Sequence, residues 1–370
     1  MSKTIVVKRT PSWYFSGAIS AMDQTFIPYY RTIVGVLKAL GNVPTEHVTF
    51  SNARAWEEGE SAKGVNVHER DFCWLDQSTA LVADISVATT GGGAEIDYAV
   101  RAGLPTLLVC HEEKRGTWYL SQWVKTVNPP PNLEYVRYAS SAQLENIVRT
   151  FAEKVVQNTP LLPGAYIVLE GGEGCGKTKQ RELVAVYLRE QGYAVEETRE
   201  PGGTQAGEVI RNLLQNPDQE KLCSRAELFL FEAARAQLFE KKIIPALKNG
   251  VIVCTDRSYY STIAYQGFGR QLGLQTLDLF NGVATYRTKP DLGIVIDVDP
   301  KEGLKKTTKT EFGKADRFEQ EQLDFHERVR QGYLAVARRE PNTVVVPYIH
   351  GIEAMHAVVR EKVDAFLSRG

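Results

Sequence analysis

The chain lacks the features that would tie it to a membrane, an oxidising compartment or a polyanion. No apolar run approaches the roughly 20 residues of a bilayer span, and the first residues carry no apolar signal-peptide core. Five cysteines, at 73, 110, 175, 223 and 254, are scattered without CxxC or Cys/His spacing. That excludes a disulfide frame or a patterned zinc site and fits reduced thiols in the cytoplasm. Charge of one sign is also missing. Lys and Arg number 44 against 45 Asp and Glu, a net charge of −1, so no general nucleic-acid or membrane surface is expected. What is present is 370 residues of ordinary globular composition, enough for two domains with separate cores.

Near the middle, an apolar strand Ala165–Leu169 runs into Gly171-Gly172-Glu173-Gly174-Cys175-Gly176-Lys177-Thr178, followed by a helix-compatible stretch from Lys179 to Arg189. This is a complete GxxxxGK(S/T) phosphate loop between a strand and a helix. Residues without Cβ let consecutive backbone N–H groups curl around an anion. Gly171, Gly174 and Gly176 supply that freedom, Lys177 reaches the β- and γ-phosphates of ATP, and Thr178 binds Mg²⁺.

Alternating strands and helices on both sides of this loop predict an α/β protein of two domains, each a mostly parallel sheet flanked by helices. The expected domains are residues 1–157 and 164–370, with a proline-rich linker at 158–163. In the first half, strands are expected at Ser12–Gly17, Gly41–Val48, Ala80–Ser86, Pro105–His111 and Leu133–Tyr138. Helices are expected at about Asp23–Leu40, Glu95–Ala102 and Ser141–Gln157. In the second half, strands follow at Ala194–Thr198, Val251–Thr255, Gly293–Val298 and Asn342–Val346. No internal repeat links the halves.

Four further segments of the second half point to phosphoryl chemistry. Arg199 opens a Glu-Pro-Gly-Gly-Thr turn after a strand, at the sheet edge where open α/β folds bind ligands. Phe231 and Arg235 stand one helical turn apart, suited to stacking on a base and hydrogen-bonding its rim. Asp256-Arg257 ends a buried strand, pairing a magnesium-linked acid with a phosphate-binding guanidinium. Lys305 to Arg317 is cation-rich and leads into a charged helix, Glu319–Arg338, so it is expected to close over triphosphate.

The ordered series LEGGEGCGKT, REPGGT, FEAAR, DRSYYSTIAYQG, PDLGIVIDVD and ADRFE resembles thymidylate kinase over about residues 164–370. The resemblance implies a P-loop NTPase fold and the reaction of ATP with dTMP to give ADP and dTDP. By it, Lys177, Lys309, Lys314 and Arg317 contact ATP, and Thr178 and Asp256 hold Mg²⁺. Arg199 and Arg257 hold the monophosphate, with Asp256 near the transferred group and Ser261 on the acceptor side. Phe231 stacks on thymine, Arg235 and Gln266 approach its edge, and Glu173 lies near the acceptor sugar. The series departs from the family at Ser258, where an aromatic or His is common. The loop also has Gly174 where some members have Arg, and the lid carries Lys305, Lys306, Lys309 and Lys314.

The first half has no nucleotide fingerprint. Its candidates are Tyr14 and Gly17, His47, Asp71, Thr89 and Gly91 before Glu95, and Ser121. Glu95 follows a glycine-rich turn and is expected in a helix's first turn, where the dipole favours a carboxylate. The segments YFSGAIS, PTEHV, HERDFCWLDQSTALVADIS, GGGAEIDYAVRAG and LSQWV resemble the nucleoside 2-deoxyribosyltransferase superfamily, especially its 2'-deoxynucleoside 5'-monophosphate N-hydrolase branch. This implies a flavodoxin/Rossmann-like fold with Glu95 as nucleophile on C1' of a deoxyribosyl group, in the manner of retaining glycosidases. Asp71 assists the departing base, Tyr14 supports the nucleophile, and Thr89, Gly91 and (across a dimer interface) Ser121 hold the 5'-phosphate. Where that branch reads Gly-Ser-Ile-Arg, this chain reads Gly17-Ala18-Ile19-Ser20.

The combined expectation is a bifunctional nucleotide enzyme acting on small molecules as a homodimer or larger closed assembly. Its alternatives are a thymidylate kinase carrying a nucleotide-sensing or dimerisation domain, or one carrying a deoxyribosyltransferase.

Overall fold

A computed structural model describes residues 3, 5–7, 9–19, 24–87, 89–114, 129–159, 162–306 and 315–368. The chain divides into two compact units, residues 9–160 and residues 161–370 together with 1–8. The first eight residues thus group with the second unit, not with the first as expected. Lys3 bridges Tyr193, and Val7 N donates to Pro163 O at 3.0 Å.

In the unit of residues 9–160, four parallel strands lie in the order β1 (Trp13–Ser16), β2 (Ala80–Asp84), β3 (Thr106–His111) and β4 (Leu133–Tyr138). Register pairs Tyr14 with Leu81 and Leu81 with Thr106. All residues of β1 to β3 are buried, as the continuous apolar runs require of strands covered on both faces. Trp13, Phe15, Val82 and Leu107 share a core with Ile33 and Leu37 of α1 (Ile27–Lys38) and with Leu144 and Val148 of α5 (Ser141–Asn158). Pro28 stands in the first turn of α1, where a missing N–H costs nothing.

Three expectations fail here for local reasons. Gly41–Val48 is not a strand: only Asn42 bridges Ser12, and a 3₁₀ turn follows at Glu46–Thr49. Pro44 has no N–H to extend a ladder, and the N–H of Phe15 is taken instead by Thr45 Oγ1 at 2.9 Å. Two helices not expected from the sequence, α2 (Ala53–Ala62) and α3 (Val67–Asp76), occupy the following segment. The third correction is α4, which spans Thr90–Arg101, so the three glycines form its first turn and do not precede it. Thr89 Oγ1 caps this helix by accepting from Gly92 N at 3.1 Å.

The other unit holds five parallel strands in the order β6-β7-β5-β8-β9, these being Val195–Arg199, Ile252–Asp256, Tyr166–Gly171, Leu292–Asp297 and Thr343–Pro347. Central β5 is wholly buried, and Leu169 pairs with Asp256 while Arg199 pairs with Asp256 from the other side. The carboxyl ends of β6, β7 and β5 therefore bring Arg199, Asp256 and the phosphate loop to one edge. Helix α6 (Lys177–Glu190) leaves that loop directly. The other helices used below are α7 (Gln205–Gln215), α8 (Ser224–Leu238) and α9 (Ile244–Lys248). After β7 come α10 (Tyr259–Thr262), continued by a π-turn at Ile263–Gly269, and α11 (Leu274–Ala284). α12 (Pro300–Leu304), α13 (Leu323–Arg339) and α14 (Ile352–Leu367) complete the unit. Among the described residues, no helix is long and apolar enough to cross a membrane.

Candidate functional sites

In the second unit the loop leaves β5 at Gly171 and enters α6 at Lys177. Gly174 (φ +68°) and Gly176 (φ +85°) occupy left-handed backbone open to glycine at little cost. A Cβ on Gly174 would stand 2.0 Å from the carbonyl oxygen of Gly303, and one on Gly303 would stand 2.2 Å from Glu173 O. The two backbones cross here in near contact, which leaves no room for a side chain at 174.

Lys177 is largely buried. Its Nζ donates to Gly172 O at 3.2 Å and lies 3.7 Å from Glu173 Oε2. On the other side of the same carboxylate, Arg257 Nη2 donates to Glu173 Oε1 at 2.7 Å, and Tyr265 OH donates at 2.5 Å. Burial pushes the Glu173 carboxyl up, but the charges of Arg257 and Lys177 override it and hold it down at about 2. Glu173 is thus an anion that spaces two cations. Arg257 itself adopts φ +74°, unusual for a residue with a side chain.

Thr178 Oγ1 donates to Asp256 Oδ2. The second oxygen of Asp256, Oδ1, is buried and has no hydrogen-bond partner among the described residues. A hydroxyl and an unsatisfied carboxylate oxygen beside a phosphate loop fit a hard divalent cation with oxygen ligands. Arg199 is more open, with its side chain 42% exposed and Nη2 donating to Glu208 Oε2 at 3.0 Å.

Phe231 on α8 is half-buried, with its ring centroid 5.8 Å from that of Phe318. Beside it, Gln266 Nε2 donates to Glu227 Oε1 at 2.8 Å. Two residues expected to contact ligand also pair with carboxylates of the protein. Arg235 is 1% exposed: its Nε donates to Glu200 Oε2 and its Nη1 to Glu232 Oε1, both at 2.7 Å, with Thr262, Asn281 and Ser258 O also accepting. Arg317 Nη2 donates to Glu227 Oε2 at 2.8 Å, while its Nε and Nη1 are buried and have no hydrogen-bond partner among the described residues. Lys309 and Lys314 lie outside the described residues. Ser261 Oγ donates to Glu170 Oε2 at 2.8 Å and accepts from Arg257 Nη1 at 3.3 Å. Sequence reasoning missed Glu170, Tyr265 and Tyr333, although the spacing of Ser261 and Tyr265 on one helical face carried a signal for the second.

The first unit gathers its own acid cluster at the carboxyl end of β1. Ser16 Oγ donates to Glu95 Oε2 at 2.6 Å, and Tyr14 hydrogen-bonds the same carboxylate. Burial raises the Glu95 carboxyl, while the hydrogen bonds from Ser16 and Tyr14 pull it down. Burial and the Glu95 charge push the Tyr14 phenol well above its ordinary value, so it remains a donor. Asp71, on α3, is lifted to about 6 by burial, against Arg70 and with help from the Glu95 and Glu57 charges. Glu95 sits in the second turn of α4, so burial and not the helix terminus governs it.

Arg70 grips Asp71 Oδ1 through Nε at 2.9 Å and Nη2 at 2.6 Å, and Nη2 also reaches both oxygens of Glu57. Its guanidinium lies 5.2 Å from the Trp56 ring centroid and 4.4 Å from that of Trp74. His47 stacks on Trp56 at 4.2 Å and meets Glu57 Oε1 with Nε2 at 2.5 Å. Burial pulls the His47 imidazole below its ordinary value, with Glu57 opposing. His47 thus supports the Glu57–Arg70–Asp71 chain and is 4% exposed. Thr89 is occupied as a cap, Gly91 is exposed, and Gly17 packs where a Cβ would meet the Phe15 ring at 3.0 Å. Ser121 lies outside the described residues. Ser16, Glu57 and Arg70 were not anticipated; Arg70 stands directly before Asp71, yet its aromatic bracket depends on two helices unseen in the sequence.

The family model described as "Thymidylate kinase" matches residues 169–359. A thymidylate kinase of Thermoanaerobacter sp. (strain X514) is 40% identical over 204 residues, covering 55% of this chain and 97% of the relative. One from Fervidobacterium nodosum is 41% identical over 202 residues, covering 55% of this chain and all of the relative. A crystal structure of thymidylate kinase from Ehrlichia chaffeensis is 34% identical over 55% of this chain and 99% of its own, with a TM-score of 0.45.

Proposed function

The chain belongs, through residues 169–359, to the thymidylate kinase family, and from that premise we propose two activities. The second unit transfers the γ-phosphoryl group of ATP to dTMP. The first hydrolyses the N-glycosidic bond of a (deoxy)nucleoside monophosphate.

For the kinase, the supporting observation is the charge sequence Lys177–Glu173–Arg257 beside the Thr178–Asp256 pair. A phosphate oxygen of dTMP attacks the γ-phosphorus, the bond from that phosphorus to the bridging oxygen breaks, and ADP leaves with the electron pair. Such transfer is catalysed by positioning and charge stabilisation. Lys177 meets the β- and γ-phosphates, while Arg257 and the open Arg199 hold the acceptor phosphate. Thr178 and the unsatisfied oxygen of Asp256 would hold Mg²⁺, which would supply neutralisation of phosphate charge. Phe231 is the platform for thymine, with Gln266 at its rim. Arg235, closed in by two carboxylates, fixes α8 against Ser258. The lid lysines add charge without the bidentate grip of arginine.

For the hydrolase, the reading rests on Glu95 hydrogen-bonded by Ser16 and Tyr14, with Asp71, its carboxyl lifted by burial to about 6, within reach of the Glu95 charge. A Glu95 oxygen bonds C1' as the C1'–N bond breaks; the base nitrogen takes the electron pair and a proton from Asp71. Water then attacks C1', releases Glu95 and returns a proton to Asp71. The two activities would divide substrates, one unit destroying unwanted monophosphates while the other commits dTMP.

The test is a panel of deoxy- and ribonucleoside monophosphates incubated without ATP and chromatographed for free base. Release lost in Glu95→Ala supports the hydrolase, and rapid thymine release from dTMP refutes the division of substrates. No release from any substrate leaves a kinase with a sensing or assembly domain. A new nucleoside formed from added free base identifies a deoxyribosyltransferase.

A further inference from the structure

We infer that Glu170 is a positioning residue for phosphoryl transfer: it holds Arg257 in its left-handed turn and, through Ser258, Ser261 and Tyr333, aims the guanidinium at the acceptor phosphate. This rests on the kinase reading of the second unit.

A left-handed conformation at an arginine persists only where its surroundings over-determine it. Here both peptide N–H groups at the turn are tied to the end of β5. Arg257 N donates to Leu169 O at 3.0 Å, and Ser258 N donates to Glu170 Oε1 at 2.6 Å. Ser258 Oγ donates to the same oxygen at 2.9 Å. The other oxygen, Oε2, accepts from Ser261 Oγ at 2.8 Å. Ser261 Oγ shares a 2.8 Å hydrogen bond with Tyr333 OH, and Tyr333 OH accepts from Arg257 Nη1 at 2.9 Å. One carboxylate thus grips both the backbone of the turn and, through two hydroxyls, the tip of the side chain that the turn carries.

Glu170 is fully buried, so its charge serves no ligand directly. Burial drives its carboxyl up, and the Arg257 charge with the Ser261 and Ser258 hydrogen bonds opposes that drive. Such a group is costly unless its acceptors are filled, and all three donors here come from the segment following Arg257. The same network accounts for Ser258: an aromatic or imidazole ring at that position supplies no hydroxyl to double the grip of its own N–H. Ser258 O also accepts from Arg235 Nη2 at 3.1 Å, joining the base side of the site to the phosphate side.

Glu170→Gln tests this, because an amide keeps the shape but cannot accept from both Ser258 and Ser261. The expected result is a KM for dTMP raised about tenfold or more with KM for ATP unchanged, a displacement effect of ordinary size for a positioning group. In its crystal structure Arg257 leaves the left-handed region. Tyr333→Phe, which cuts the path at its far end, should also raise KM for dTMP, and its effect should not add to that of Glu170→Gln. Should Glu170→Gln fail to fold, Ser258→Ala carries the same readouts. Equal changes in both KM values, or none with Arg257 still near +74°, overturn the inference. Absence of dTMP turnover in the wild type sinks the kinase reading instead, and the Arg257 backbone in the variant still decides this one.

Discussion

Gly174→Ala is the smallest perturbation that sets the loop's geometry against its chemistry. The new Cβ would meet Gly303 O at 2.0 Å, whereas real Cβ atoms essentially never approach within 3.0 Å. The backbones of the loop and α12 must therefore separate by about 1 Å, the difference of those two values. An L-residue at φ +68° adds a left-handed penalty of roughly 1–2 kcal/mol, and overpacking against backbone adds roughly 1–3 kcal/mol. A loss of about 3 kcal/mol lowers the Tm of a unit this size by roughly 6–12 °C. Moving the phosphate cradle by about 1 Å should cost kcat/KM about 100-fold. Circular dichroism melts and coupled ADP assays read both quantities. Tryptophans 13, 56, 74, 118 and 123 all lie in the first unit's part of the chain, so native tryptophan emission is a built-in control. Wild-type Tm and kcat/KM, or an altered native emission spectrum, would refute the local-clash argument. The same contact forbids a larger side chain at 174, so Gly174→Arg should lower Tm at least as far as Gly174→Ala.

Two further outcomes follow from the geometry. Phe231→Ala removes the proposed base platform, and since base stacking is worth about 1–3 kcal/mol, KM for dTMP should rise roughly 10- to 100-fold in steady-state assays with kcat less affected; an unchanged KM places the base elsewhere. Base release as proposed for the first unit would need Asp71 protonated, and its folded pKa is raised to about 6, so the proton is lost as pH climbs through that value. Above it, the rate from a pH–rate profile should fall about tenfold per pH unit, and a flat profile to pH 8 would remove Asp71 from the acid role.

The phosphate loop was legible because its chemistry is local: glycines, lysine and threonine at fixed spacing need no distant partner to be recognised. Strand identity was legible for the same reason, since buried parallel strands are written as apolar runs. Errors arose where a side chain replaced a backbone partner. Thr45 Oγ1 took the N–H that a strand at Gly41–Val48 would have paired. Thr89 Oγ1 capped the glycine run, turning an expected turn into the start of α4. In neither case does composition reveal which oxygen will be at hand once the chain has folded.

The arginines carry the deeper lesson, because their roles depend on carboxylates far away in sequence. Arg199, Arg235, Arg257 and Arg317 read alike as phosphate or base ligands, yet their surroundings separate them. Arg235 is enclosed by Glu200, 35 residues away, and by Glu232. Arg317 is held by Glu227, 90 residues away. The Arg235 fork is filled by buried carboxylates, so it cannot clamp a phosphate without stranding those charges, a cost of roughly 3–5 kcal/mol for a broken buried pair. Arg257 and Arg317 each face one carboxylate and keep 13% of the side chain exposed, and Arg199 keeps 42%. Of the four, Arg235 alone is closed off from phosphate by paired carboxylates. Charge stabilisation in the proposed reaction would then come from Lys177 and the arginines whose forks stay partly open, beside a phosphate loop whose Gly174 has no room for a side chain of its own.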